Sequence, residues 1–214
     1  MSKHFSIPTN RLEAFSDGVF AIVITLIAFQ FRVPKFTDEA SLQQNMRELL
    51  RSAPNVIAFA FSFAFISVFW VNHHQLYHSI KEVDNKLLWL NLHLLFWITM
   101  LPFPIIMVGD HPYVAVAAMS LGVVLMMCSL AAFLVRRYSY FKAKLADETL
   151  SHNSINDGLV KNIIAIILNI IAIFTAPISV YIAYGIYLIV LSLFIIPQKL
   201  ERKVKKTSAP TGNK

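Results

Sequence analysis

Arg11-Leu-Glu-Ala-Phe15-Ser16-Asp17-Gly18-Val-Phe-Ala-Ile22-Val-Ile-Thr25-Leu26-Ile-Ala-Phe29 is a polar opening followed by an apolar run. A helix rises about 1.5 Å per residue, so about twenty residues cross a hydrocarbon core of roughly 30 Å. The stretch therefore predicts a membrane-spanning helix, with Thr9 or Asn10 placed to cap its start. Arg11, Glu13 and Asp17 interrupt that start and no small-residue cleavage site follows, so it does not read as a cleaved signal peptide. Charge at membrane depth is costly and normally faces a protein interior or a water-filled path. Helical spacing puts Phe15, Gly18, Ile22, Thr25 or Leu26, and Phe29 on one stripe. Asp17 lies about 100° round from Gly18 and heads a second face with Ala21, Ile24 and Ala28, whose small residues would admit a neighbouring helix.

Five further apolar segments follow, so six spans are expected near residues 10–31, 54–78, 86–108, 113–136, 157–176 and 178–197. The last two come from one apolar stretch interrupted at Thr175-Ala176-Pro177. Proline removes a backbone donor and disfavours helix at the residue before it, so a hairpin is expected there rather than one very long kinked helix. The composition agrees: 57% of the 214 residues are hydrophobic, 14% are charged and mean hydropathy is +0.60. A soluble domain carries nearly twice that charge, which excludes most soluble enzyme classes. The fold class is an all-α integral membrane protein. Residues 1–198 form its transmembrane domain, and 199–214 form a basic cytoplasmic tail expected to be disordered.

The net charge of +7 then reads as an orientation. Six spans put both termini on one side, and fifteen of the nineteen Lys and Arg residues fall there. The other four, Arg32, Lys35, Arg47 and Arg51, all lie in the first loop. Basic residues in short loops accumulate on the cytoplasmic face, so both termini are expected in the cytoplasm and no nucleic-acid partner is needed to explain the charge. In that first loop Leu42, Met46, Leu49 and Leu50 recur at helical spacing, predicting a short amphipathic helix that caps the outer surface. Lys199 to Lys206 form a juxtamembrane basic cluster suited to anionic lipid headgroups. Cys128 is the one cysteine, so the chain has no internal disulfide and no zinc-type Cys/His spacing.

Polar partners for the first helix stand on the next two spans. Phe69-Trp70-Val71-Asn72-His73-His74-Gln75 ends the second, and Leu88-Trp89-Leu90-Asn91-Leu92-His93 begins the third. Arg11, Ser16 and Asp17 with His73 or His74 and Asn91 would satisfy one another in a low-dielectric interior. Helix locking is favoured over a proton relay, because nothing continues the ionisable chain towards the other face. Adjacent histidines point about 100° apart on a helix, unlike metal ligands at i and i+4, so neither a metal site nor an enzyme is expected.

Arg11-xxx-Phe15-Ser16-Asp17-Gly18 at the start of the first of six spans resembles the signature of the transmembrane protein 175 potassium channel family, in its single-repeat prokaryotic form. Phe69-Trp70-Val71-Asn72-His73-His74, Leu87-Leu88-Trp89-Leu90-Asn91 and Leu101-Pro102-Phe103-Pro104 are similar to that family as well. The likeness rests on motifs in the first half of the chain and on span count in the second. It implies a homotetramer in the cell membrane, with four first helices around a potassium path and no cofactor beyond the permeant ion. The family's hydrophobic constriction falls on Ile22 and its threonine on Thr25, with Leu26 and Phe29 continuing that face. Arg11, Phe15, Ser16, Asp17, His73 and Asn91 match its helix-packing network, in which His74 could replace His73.

A hydrophobic ring gates by dewetting and makes a passing ion shed water. Potassium loses less than sodium on stripping, and a ring of Thr25 hydroxyls would replace part of the shell. Modest potassium selectivity is expected, since no Thr-Val-Gly-Tyr-Gly carbonyl filter is present. The alternative is a proton-coupled secondary transporter using Asp17 and His73. Such folds carry internal repeats and broken mid-membrane helices, which the sequence lacks apart from the Pro177 turn.

Overall fold

The computed structural model describes residues 6–29, 36, 41–141 and 152–195. A two-residue strand β1 (Ser6–Ile7) leads into α1 (Thr9–Phe29), followed by α2 (Leu42–Arg51) and α3 (Ala53–His78). Strand β2 (Val83–Asp84), α4 (Asn85–Met100), α5 (Pro102–Asp110), α6 (Ala115–Phe141), α7 (His152–Thr175) and α8 (Val180–Ile195) complete the chain. Among the described residues, four continuous runs are long and apolar enough to cross a membrane: Leu42–His78, Asn85–Asp110, Ala115–Phe141 and Asn156–Thr175. Helix α8 is a shorter apolar helix. The basic tail at 199–214 lies outside the described residues.

Polarity is arranged as a bilayer requires. Ile57, Trp89, Phe103, Phe174 and Ile178 stand exposed, while Ser62, Asn91, Ser129, Asn162 and Asn169 are buried. Water would reverse that preference, whereas lipid allows apolar side chains outside and polar ones paired within. Helix α6 is the central post, packed on α4, α5, α7 and α8. Helix α1 lies against α3, α4 and α5.

Proline chemistry sets two of the boundaries. Helix α7 stops at Thr175, the chain turns through Ala176-Pro177, and α8 packs back on α7 as the expected hairpin. The third expected span, 86–108, is divided at Leu101. Pro102 and Pro104 cannot donate to carbonyls four residues back, and Ile98 O accepts from Leu101 N–H at 3.2 Å instead. In the first loop, Ser41 and Gln44 form a capping box that starts α2. No residue of α2 is buried, and its apolar face Leu42, Met46, Leu49 and Leu50 stands exposed among the described residues.

The two ends of the bundle carry different contacts. At one, β1 pairs antiparallel with β2 (Ser6 with Asp84, Ile7 with Val83), and Thr9 Oγ1 donates to Lys81 O at 3.1 Å. That bond ties Thr9 to the α3–α4 connection. Asp84 caps α4 by accepting from Leu87 N–H at 2.8 Å and also accepts from Tyr138 Oη at 2.5 Å, while Lys86 sits over the Tyr138 ring. At the other end, Tyr184 Oη donates to Pro112 O at 2.7 Å and Tyr113 meets Tyr181. The chain start, the α3–α4 connection and the end of α6 therefore share one end of the molecule.

Candidate functional site

Helix α1 presents two contrasting sides. Leu12, Ser16, Phe20, Val23 and Ile27 are buried, each at 3% exposure or less, and their spacing of three and four makes one continuous contact stripe. Phe15, Ile22 and Leu26 are 53%, 59% and 48% exposed, and a Cβ added at Gly18 would meet nothing within 4 Å. The packing stripe is not the Asp17–Ala21–Ile24–Ala28 face, on which Ala21 and Ala28 are exposed. Ser16 and Phe20 decide this, because each has a specific partner on α3 or α4.

Those partners form a directional hydrogen-bond chain. Ser16 Oγ donates to Leu12 O at 2.8 Å, which leaves its lone pairs to accept from Asn91 Nδ2 at 3.0 Å. Asn91 Oδ1 is thereby turned to His73 Nε2, 2.8 Å away. An amide oxygen only accepts, so His73 carries its proton on Nε2. All three side chains are buried, and the His73 ring is stacked on Tyr77 at 4.4 Å and tilted against Phe20 at 5.4 Å. Each such bond adds about 1 kcal/mol net, while orphaning one buried partner costs about 1–3 kcal/mol. The chain thus fixes the rotation of α1 more than it adds to stability.

Asp17 belongs to a separate set. Its Oδ1 accepts from Trp70 Nε1 at 2.8 Å, and Trp70 stacks on His74 at 5.7 Å. So Ser16, His73 and Asn91 are brought together, Asp17 pairs with Trp70, and Arg11 and Phe15 stand on exposed positions. His74 is exposed and takes no part in the Asn91 chain. Trp70 as the Asp17 partner was missed from sequence. The signal was available, since an indole N–H is a donor with no acceptor role and needs an acceptor when partly buried in an apolar setting.

On the exposed stripe, Thr25 Oγ1 donates to Ile22 O at 2.8 Å. With its proton returned to the helix, the hydroxyl presents lone pairs, which suits a cation. Phe29 is the last residue of α1. Among the described residues, no three His, Cys, Asp or Glu side chains converge as a metal site would require.

The profile of the TMEM175 family, described as endosomal/lysosomal potassium channel TMEM175, matches residues 11–102. A potassium channel of Chryseobacterium sp. is 32% identical over 197 residues, covering 92% of this chain and 97% of that one. The crystal structure of a lysosomal potassium-selective channel TMEM175 homolog from Chamaesiphon minutus superposes with a TM-score of 0.75 at 28% identity, over 87% of this chain and 95% of that one. A variant of the potassium channel MtTMEM175, crystallised with a nanobody fusion, shares the fold with a TM-score of 0.63 at 16% identity, over 92% and 95% of the two chains. These relatives are named as ion channels and not as enzymes.

Proposed function

The chain belongs to the TMEM175 family, and from that membership we propose that it is a potassium-permeable channel built from four copies around an axis lined by α1. The observation that carries this reading is the asymmetry of α1. One stripe is locked to α3 and α4, while Phe15, Gly18, Ile22, Thr25 and Leu26 are left open on the isolated subunit. Ile22 is the constriction in this reading, Thr25 supplies hydroxyl oxygens next to it, and Leu26 and Phe29 extend the apolar wall. Ser16, Asn91 and His73 hold each helix at the rotation that keeps Ile22 on the axis, and Asp17 with Trp70 anchors its start.

The chain spans the cell membrane six times with both termini in the cytoplasm, and its basic tail meets anionic headgroups. Support comes from the shared end occupied by β1, Lys81, Lys86 and Tyr138, where the positive-inside rule places basic residues. Permeant potassium is the only ion or cofactor the function requires. A proton-coupled transporter built on Asp17 and His73 would want those groups in one hydrogen-bonded network, and their bonding to different partners, Trp70 and Asn91, favours the channel.

Flux through proteoliposomes under potassium or sodium gradients tests the reading. Ile22→Asn, which wets the ring, is expected to raise cation flux and reduce discrimination, and Thr25→Ala to lower the potassium-to-sodium ratio. No potassium flux from folded tetramers would overturn it, as would variants that leave both flux and ratio unchanged.

A further inference from the structure

The hydrogen-bond chain that holds α1 runs from Ser16 through Asn91 to His73. Behind His73 lies a cavity of about 40 Å³, lined by residues of α3, α4, α6, α7 and α8 and, among the described residues, by none of α1. Its walls are mostly aliphatic and aromatic, interrupted by Asn72, His73, Ser129, Arg136 and Asn162. Asn162 belongs to α7, on the far side of this space from the helices that grip α1.

The lining mixes donors with acceptors. His73 carries its proton on Nε2 for Asn91 Oδ1, so Nδ1 keeps a lone pair. Ser129 Oγ donates to Leu125 O at 2.9 Å, which leaves its own lone pairs. Asn72 Nδ2 donates to Val68 O at 2.8 Å and to Phe194 O at 3.2 Å, so Oδ1 is the end of that amide left to accept. Against these acceptors stands one orphan donor: Asn162 is buried, and its Nδ2 has no hydrogen-bond partner among the described residues. Arg136 has interactions of its own and is not needed to balance the set. Bare ions of either sign match only half of such a lining, whereas water both donates and accepts.

We propose that ordered water in this cavity bridges His73 Nδ1 to the Asn162 amide, and that Asn162 is thereby a positioning residue for α1. One water needs roughly 10–15 Å³ by this measure, so the space holds about three. A water that donates to Nδ1 still has its oxygen to receive the Asn162 N–H, directly or through a second water, and its other proton goes to Asn72 Oδ1 or Ser129 Oγ. Each water then meets the two to four polar partners that a buried site requires. The bridge acts on α1 through the tautomer of His73. A proton donated to Nδ1 keeps the ring's own proton on Nε2, that proton holds Asn91 Oδ1, and Asn91 Nδ2 is left turned to Ser16. The other tautomer would set a lone pair against Asn91 Oδ1 and loosen the tie to α1. The effect on the pore rests on the channel reading; the bridge itself does not.

The test uses the full-length protein. Crystals are expected to show discrete water between His73 and Asn162, and NMR spectra of nitrogen-labelled histidine a His73 Nδ1 that accepts a hydrogen bond. In Asn162→Leu that resonance is expected to move to the position of an unbonded ring nitrogen, and the potassium-to-sodium flux ratio to change by about twofold or more. Asn162→Ser keeps a donor and leaves room for another water, so it should restore both. A cavity that is dry or filled by a lipid tail would overturn the proposal, as would a His73 resonance or a flux ratio that Asn162→Leu leaves as in the parent. Should Asn162→Leu fail to fold, the water density and the parent's His73 resonance decide without it. Folded protein that passes no potassium would count against the channel reading alone, because those two measurements report the bridge without conduction.

Discussion

Two buried asparagines separate a satisfied polar group from an unsatisfied one. Asn91 uses its amide oxygen for His73 and its amide nitrogen for Ser16. Asn169 is fully buried, and among the described residues neither its Oδ1 nor its Nδ2 has a partner. Replacing a paired group strands its partners, whereas replacing an orphan by an apolar group of similar size removes a penalty. Asn91→Leu is therefore expected to destabilise the subunit by about 2–3 kcal/mol, with the His73 N–H and the Ser16 oxygen both losing their partner. Asn169→Leu is expected to be neutral or stabilising by about 1 kcal/mol. Unfolding of the two variants in one detergent decides the matter, and equal losses would refute the distinction. The residue types of the Asn91 chain were legible, because Ser16, His73 and Asn91 are polar islands in apolar runs. Its membership was not. Arg11 and Asp17 are as polar, and only the rotation of α1 decides that Ser16 faces inward while Asp17 meets Trp70.

At the scale of elements, apolar run length and proline position carried most of the architecture into the sequence. The Thr175-Ala176-Pro177 hairpin follows from local backbone chemistry alone. The break at Leu101 follows from the same chemistry, but an apolar run conceals it, since Asn85–Asp110 is apolar and helical on both sides of a lost hydrogen bond. The β1–β2 pairing was beyond reach, because two residues give no periodicity to read. Close helix approach was equally hidden. Gly122 in α6 sits where an added Cβ would lie 2.3 Å from Tyr187 Oη and 2.7 Å from Ile173 Cγ1. Tyr187 cannot easily give way, as its hydroxyl donates to Ala118 O at 2.8 Å. Gly122→Ala is thus expected to lose about 1–3 kcal/mol to overpacking, more than the roughly 1 kcal/mol that alanine gains in helix propensity. Gly18→Ala meets open space within the subunit and should keep that gain. Comparing the two unfolding midpoints checks it, and a Gly122→Ala protein as stable as its parent would show that α7 and α8 can shift.

For the whole molecule, the subunit is an incomplete object: its most featured helix leaves an ordered apolar stripe uncovered. Lipid could cover that stripe as well as three further copies could, so exposure alone does not choose between them. The chain offers a clean way to choose, because its single cysteine, Cys128, is fully buried and contributes little background. A disulfide needs Cα atoms about 4.4–6.8 Å apart, a separation reached only where copies converge. If α1 lines the axis, Ile22→Cys is expected to cross-link efficiently under mild oxidation in native membranes and give covalent dimers on a non-reducing gel. Ile189→Cys on α8 is the control, since Ile189 is 53% exposed against 59% for Ile22. Random collision in the bilayer would cross-link the two positions alike, and convergence on an axis would favour Ile22 alone. Equal dimer yields would assign the α1 stripe to lipid and remove the structural basis for a gate at Ile22, whatever the fold shares with known channels.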